Sequence, residues 1–184
     1  MRINKRIIRA REKLESKRIG TLQLIYSIVL ILFAALCQTT LFPYFSVNGI
    51  YFDATVSLTA FLALYTNEYY GSVYGLILGT LADLMYPSVF PIMPVVYLFI
   101  GALCGISFKN MKKGFFFGKI SIGLGAVILR SVILGLIRSA EQPDPMQYIL
   151  EYELWHFVYT AAVMPVFMLL AAPVGRASQG RSLQ

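Results

Sequence analysis

Apolar residues run along this chain in six stretches, each close to the ~20 residues that an α-helix needs to cross a bilayer. They cover Thr21–Phe42, Ile50–Thr66, Tyr69–Tyr86, Val89–Phe108, Phe115–Ile137 and Leu154–Val174. Pro43 closes the first, and Pro91 and Pro94 fall in the opening turns of the fourth, where a missing N–H is tolerated. The pattern predicts an all-α polytopic membrane bundle of six transmembrane helices. The second and third stretches are short and either Gly-rich or studded with polar residues; as a re-entrant hairpin they would leave four spans. The expected organisation is a basic tail at 1–20, a membrane domain at 21–175 and a second tail at 176–184. The first apolar stretch exceeds the ~7–15 residues of a secretion-signal core, no A-x-A site follows, and Leu36 precedes Cys37 where a lipoprotein site wants a small residue. A retained helix is expected.

Composition agrees with that solvent. The chain is 58% hydrophobic and 14% charged, against about 45–50% and about 25% in soluble domains. The net charge of +7 would suit nucleic acid, but its placement and the lack of any nucleic-acid module argue against that partner. Arg2, Lys5, Arg6, Arg9, Arg11, Lys13, Lys17 and Arg18 form one block beside the first apolar stretch. With six spans and the N-terminus inside, Lys109, Lys112, Lys113, Lys119, Arg176 and Arg181 also fall on or near the inner side, and the outer segments keep Arg138 alone. This is the positive-inside bias. It puts both termini in the cytoplasm and the protein in the cytoplasmic membrane. Within the tail, Ile3, Ile7, Ile8 and Leu14 form a partial apolar face, which suits either a helix lying on anionic lipid or a solvated tail that sets orientation.

The outer segment 138–153 is acidic and broken by Pro143 and Pro145. In it Met146, Ile149 and Leu150 can lie on the membrane surface, and Glu151 and Glu153 read as a solvated rim. Trp155, His156 and Tyr159 follow at the boundary, where aromatic rings favour headgroups. Cys37 and Cys104 sit in apolar runs and read as small hydrophobes. One His and no CxxC leave no metal spacing, so no metal or cofactor is expected.

Polar groups inside apolar stretches carry a desolvation cost and are therefore informative. Gln38, Asp53, Asp83 and Arg130 are the four that stand out. Arg130 lies fifteen residues into the fifth stretch, about 22 Å at the helical rise, so all four fall at one depth on the outer side. A buried polar cluster is expected there, with Arg130 paired to Asp83, Asp53 or both. It serves either as a stabilising ion pair or as a site facing a ligand or partner. Gly71, Gly75 and Gly79 recur every four residues and lead to Asp83, and Gly101 and Gly105 repeat the spacing in the fourth stretch. Small residues so placed let helices approach closely, within the protein or at a partner interface. No nucleophile–base pair or phosphate loop is present, so an enzyme is not expected.

At these residues the sequence resembles the bacterial rod shape-determining MreD family. The resemblance rests on Gln38-Thr39-Thr40 closing the first span and Asp53 opening the second. It continues in the glycine ladder Gly71/Gly75/Gly79 ending in Asp83-Leu84, and in Tyr97/Gly101/Gly105. It covers roughly residues 35–106. The chain departs from the family at Phe52-Asp53-Ala54, where Pro-Asp-Leu is common, and at Tyr86-Pro87-Ser88, where the family has a Gly-rich turn. The resemblance implies a non-enzymatic membrane scaffold of the cell-wall elongation machinery. Its implied partners are MreC, RodA with its class B penicillin-binding protein, and the MreB filament, along with membrane lipid. The implied fold is similar to the six-helix substrate-binding subunits of vitamin importers, which supplies the alternative function. Those subunits use an Ala-x3-Ala face on the first span, whereas here Ala34 and Ala35 are followed four residues on by Gln38 and Thr39.

Overall fold

A helix with no polar face has to be enclosed by other helices, and ATVSLTAFLAL is such a segment. In a computed structural model, which describes residues 2–46, 50, 52–85, 91–110, 116–139 and 144–179, it forms α2 (Ala54–Leu64), and every one of its residues is buried. Two of its three hydroxyls turn back on their own helix: Ser57 Oγ donates to the Asp53 carbonyl at 3.2 Å and Thr59 Oγ1 to the Thr55 carbonyl at 2.8 Å. Around α2 stand α1 (Arg2–Thr40), α3 (Glu68–Met85), α4 (Met93–Asn110), α5 (Phe116–Ser139) and α7 (Leu154–Gln179), and α2 packs against all five. A short 3-10 turn, Phe42–Phe45, follows α1. The chain is all-helical among the described residues.

Among the described residues, three helical segments are long and apolar enough to cross a membrane: Thr21–Thr40, Phe116–Ile137 and Met146–Gly175. The apolar helices Ala54–Leu64 and Met93–Ser107 are shorter; eleven residues of α2 reach only about 16 Å. The perimeter is apolar in rows at helical spacing. Val95, Phe99, Leu103 and Ile106 on α4, and Ile128, Val132 and Leu136 on α5, are exposed, as are Leu22, Ile25, Val29, Leu32 and Leu36 on α1. Apolar surface on this scale is a contact surface for lipid or protein, not for water.

Several boundaries differ from the sequence expectation. Residues 2–20 are helical and run without a break into the segment from Thr21, so the basic tail and the first apolar segment share one backbone helix. The expected outer loop is helical from Pro145: α6 (Pro145–Tyr148) leads through a π-helical turn, Ile149–Glu153, into α7. A π turn holds one residue more than an α turn would, and it lets this stretch continue α7 instead of breaking off as a loop. Met146 and Leu150 are exposed there. α7 continues past Gly175 to Gln179 and holds Pro165 and Pro173 in its interior. Residues 86–90, residues 111–115 with Lys112 and Lys113, Pro143, and Arg181 lie outside the described residues, as do the side chains of the N-terminal tail.

The glycine ladder is the seam between α3 and α4. A Cβ on Gly71 would lie 2.5 Å from the Gly101 carbonyl oxygen, and one on Gly101 would collide with the Gly71 carbonyl. Gly75 faces the Tyr97 carbonyl, Gly79 the Met93 carbonyl at 2.6 Å, and Gly105 the Asn67 carbonyl at 2.6 Å. Each four-residue step along α3 meets a four-residue step backward along α4, which is antiparallel backbone-on-backbone contact. The ladder therefore faces inward. Asn67 starts α3 by accepting the Tyr70 N–H at its Oδ1, 3.0 Å away, an ordinary side-chain cap.

Because backbone fills the place of each missing side chain, Gly75→Leu is expected to unseat α4 and to cost well over the ~1–3 kcal/mol of ordinary overpacking. A Cβ on Gly125 meets nothing within 4 Å, so Gly125→Leu should be tolerated. Thermal unfolding of the solubilised variants checks the contrast, and equal melting midpoints would show that the seam is not close-packed.

Candidate functional site: a buried polar centre

The start of α2 poses a problem that its neighbours answer. The first N–H groups of any helix lack intrahelical acceptors, and here no water reaches them. Asp53 caps the helix: its Oδ1 accepts from Thr55 N at 2.9 Å and Val56 N at 3.2 Å. Gln38, near the end of α1, accepts the Ala54 N–H at its Oε1 (3.0 Å) and donates from Nε2 to the Phe52 carbonyl (3.1 Å). Thr160 of α7 takes the remaining donor, the Asp53 N–H, on its Oγ1 at 3.0 Å. Three side chains from three parts of the chain thus satisfy the four leading donors.

The cap leaves a carboxylate in the interior, and that charge gathers the rest of the site. The Thr55 hydroxyl donates to Oδ1. The Tyr97 hydroxyl, from α4, donates to Oδ2 at 2.6 Å. Arg130, from α5, brings its Nε within 3.4 Å of Oδ2. Its Nη1 stands 3.3 Å from Glu153 Oε2 and 3.3 Å from His156 Nδ1. Tyr148 Oη lies 3.4 Å from Glu153 Oε1, and the rings of Tyr148, Tyr152 and His156 stack in sequence at 5.4 and 6.3 Å. Gln38, Asp53, Tyr97, Arg130, Glu153, His156 and Thr160 are all buried. An Arg at this depth needs such acceptors, since an unpaired charge in a low-dielectric interior is far costlier than the pair.

Three corrections to the sequence expectations follow. Arg130 takes Asp53 and Glu153, and Asp83 is not among its ion-pair partners. The reason is topological: α3 packs on α4, α2 and α1 but not on α5, so the glycine face that ends at Asp83 turns toward α4. Glu153 is not a solvated rim residue, and His156 is not interfacial; each is about 3% exposed. Both lie on the inward stripe 153, 156, 160, 164, spaced by three and four residues, which the expected loop boundary at 153 had concealed. Glu151 does face outward and accepts from Gln147 Nε2 at 3.1 Å. Tyr97 was legible as part of a motif but not as a partner of Asp53, because the two are 44 residues apart.

Most donors and acceptors of this centre are taken up by one another, but Arg130 Nε, 3.4 Å from Asp53 Oδ2, is buried without a hydrogen bond; the guanidinium stands beside the carboxylates and the imidazole. Among the described residues no group of three or more His, Cys, Asp or Glu side chains has metal-binding geometry. Cys37 and Cys104 are buried as free thiols. The chemistry of the arrangement is clamping: α1, the α2 cap, α4, α5 and α7 meet at one ion pair. Beside it, α5 and the π turn enclose an apolar cleft of about 370 Å³, lined in part by Ser131, Gly135 and the side chain of Glu153. Comparison with known protein families, with characterised proteins and with solved structures finds no match.

Removing Arg130 leaves the Asp53 charge buried without its cation, so Arg130→Leu is expected to cost about 3–5 kcal/mol. Asp53→Asn in the same chain should recover part of that loss, whereas Asp83→Asn and Arg130→Leu should add independently. Unfolding of the single and double variants measures both couplings; coupling to Asp83 with none to Asp53 would contradict the observed pairing.

Proposed function

We propose that this protein is a six-span component of the bacterial cytoplasmic membrane, with both termini in the cytoplasm, and that it acts as an MreD-type scaffold in cell-wall elongation. One observation carries the reading. The separated segments that resemble that family are the parts that interlock: Gln38 and Asp53 share the α2 cap, and the glycine ladder seats the backbone of Tyr97 so that its hydroxyl meets Asp53. A motif dispersed over some seventy residues makes physical sense if its members hold one bundle core together. An interlocked core suits a protein that presents fixed outer surfaces to other membrane proteins, and the apolar rows on α1, α4 and α5 supply such surfaces. In this role MreC, RodA with its class B penicillin-binding protein, and the MreB filament are the partners. Because the ladder is filled by α4, contact with them falls on the outer rows and not on Gly71, Gly75 or Gly79.

The topology is tested by thiol labelling. After Cys37 and Cys104 are replaced, single cysteines at Ser46, Ser88 and Gln147 should react with an impermeant reagent in intact cells, and those at Asn110 and Ser178 only after lysis. Protection of Ser88 alone would leave the second and third segments as a re-entrant hairpin.

The function is tested by depletion. Cells losing the protein should round up or swell, and the native protein should co-purify with MreC. Failure only when a particular vitamin is scarce, with that vitamin bound tightly to the purified protein and normal wall growth in rich medium, would favour an importer subunit and sink the scaffold reading.

A further inference from the structure

We propose that the N-terminal half of α1 is a docking arm for an acidic amphipathic helix of a partner protein, which joins it as a short two-stranded coiled coil outside the bilayer. The proposal rests on Thr21–Thr40 being a membrane segment and is independent of the cell-wall reading.

The reach of the arm comes first. α1 is one α-helix of 39 residues, with neither a Pro nor a π turn to bend it sharply. Gln38 and Thr160 meet at the start of α2, and Tyr26 Oη donates to the Leu170 carbonyl. α7 therefore runs antiparallel to α1, and at equal rise its last described residue, Gln179, is level with about residue 17. From Thr21 the helix extends about 28 Å further to Arg2. Headgroups occupy the first ~5–7 Å beyond the hydrocarbon, and lipid charge is screened within ~8 Å more at physiological salt. Lys17 and Arg18 stay within that reach. Arg2, Lys5, Arg6 and Arg9, about 18–28 Å along the helix from Thr21, do not, even with ~20° of tilt. An unbroken helix thus carries most of the basic segment away from the lipid surface instead of laying it down there.

The register of the arm says what fits it. Ile3, Ile7, Ala10 and Leu14 are spaced four, three and four, which is d, a, d, a of a heptad. Lys17 takes the next d position and ends the strip. The e and g positions that flank it are Asn4, Arg6, Arg11, Lys13 and Arg18, whereas Glu12 and Glu15 take f and b, away from the strip. Every charged flank is therefore basic. In a pair of two copies, parallel or antiparallel, contacts among these flanks would join cation to cation, which opposes self-association. A helix with apolar a and d positions and Asp or Glu at e and g covers the strip and meets each flank with opposite charge. Two heptads are too few to sustain an isolated helix; continuity with the apolar segment supplies this one already formed.

A synthetic probe tests the proposal. The full chain is placed in phosphatidylcholine nanodiscs and offered a fluorescent three-heptad peptide with Leu at a and d and Glu at e and g. The acidic peptide should bind, and its counterpart with Lys at e and g should not. Arg6→Glu with Lys13→Glu should weaken binding roughly tenfold or more, whereas Lys5→Glu with Arg9→Glu, an equal change of charge at f and c, should leave it within about threefold. A spin label at Asn4→Cys, with Cys37 and Cys104 replaced, should stand about 20 Å from the bilayer surface in phosphatidylcholine and in phosphatidylglycerol alike. Equal loss in the two charge variants would reduce the effect to unspecific attraction, and no binding by the wild-type chain would leave the strip without this occupant. A label that settles onto phosphatidylglycerol would make lipid the occupant, and a dimer that depends on residues 2–18 would make it a second copy. Each of these results overturns the proposal. A chain that does not enter nanodiscs at all would refute the membrane segment, and the proposal with it, while leaving the peptide's own behaviour unchanged.

Discussion

The capping of α2 is the constraint from which the rest of the structure follows. A helix enclosed on all sides cannot give its first N–H groups to water, and each unsatisfied donor in such a place costs about 1–3 kcal/mol. Four are satisfied here, by Asp53, Gln38 and Thr160. Using a carboxylate for the cap solves the hydrogen-bond problem and creates an electrostatic one, because the charge is buried with it. Arg130 and the Tyr97 hydroxyl answer that second demand. The helices that supply these groups are therefore tied to α2 by more than apolar contact, which in lipid gives little reason for helices to prefer one another.

The glycine seam belongs to the same argument. Tyr97 can reach Asp53 because the backbone of α4 lies directly on α3, and that approach exists because Gly75 has no side chain where the Tyr97 carbonyl sits. A small-residue stripe and a buried carboxylate, which look like separate features along the chain, are two halves of one device. The stripe sets how near the helices come, and the hydroxyl sets the rotation at which α4 is useful.

On the opposite side of the centre, the π turn joins α6 to α7. It allows residues 145–153 to remain helical through a stretch bearing two acidic side chains, one of which faces outward and one inward. Glu151 stays at the surface with Gln147, and Glu153 turns to Arg130. Two carboxylates two residues apart thereby have unlike surroundings, which composition could not have separated.

Much of the architecture was legible in the residue pattern. The apolar lengths, the proline boundaries, and the excess of apolar residues over what a small core can hide come from local chemistry, so helices and their approximate limits could be read directly. Gln38, Asp53 and Arg130 could be singled out for the same reason: a polar group in an apolar run has a desolvation cost that some partner must offset. Which partner does so is not local information. Asp83 was the carboxylate expected at the depth of Arg130 and Glu153 was expected on a solvated rim, and only the packing of α3 away from α5, together with the helical continuation before Leu154, brings Glu153 to Arg130 instead. The glycine spacing likewise announced a close contact without naming its other side. One chain by itself determines which residues need a neighbour; the tertiary structure chooses the neighbour, because hydrogen bonds and ion pairs depend on distances set by helices far apart in sequence.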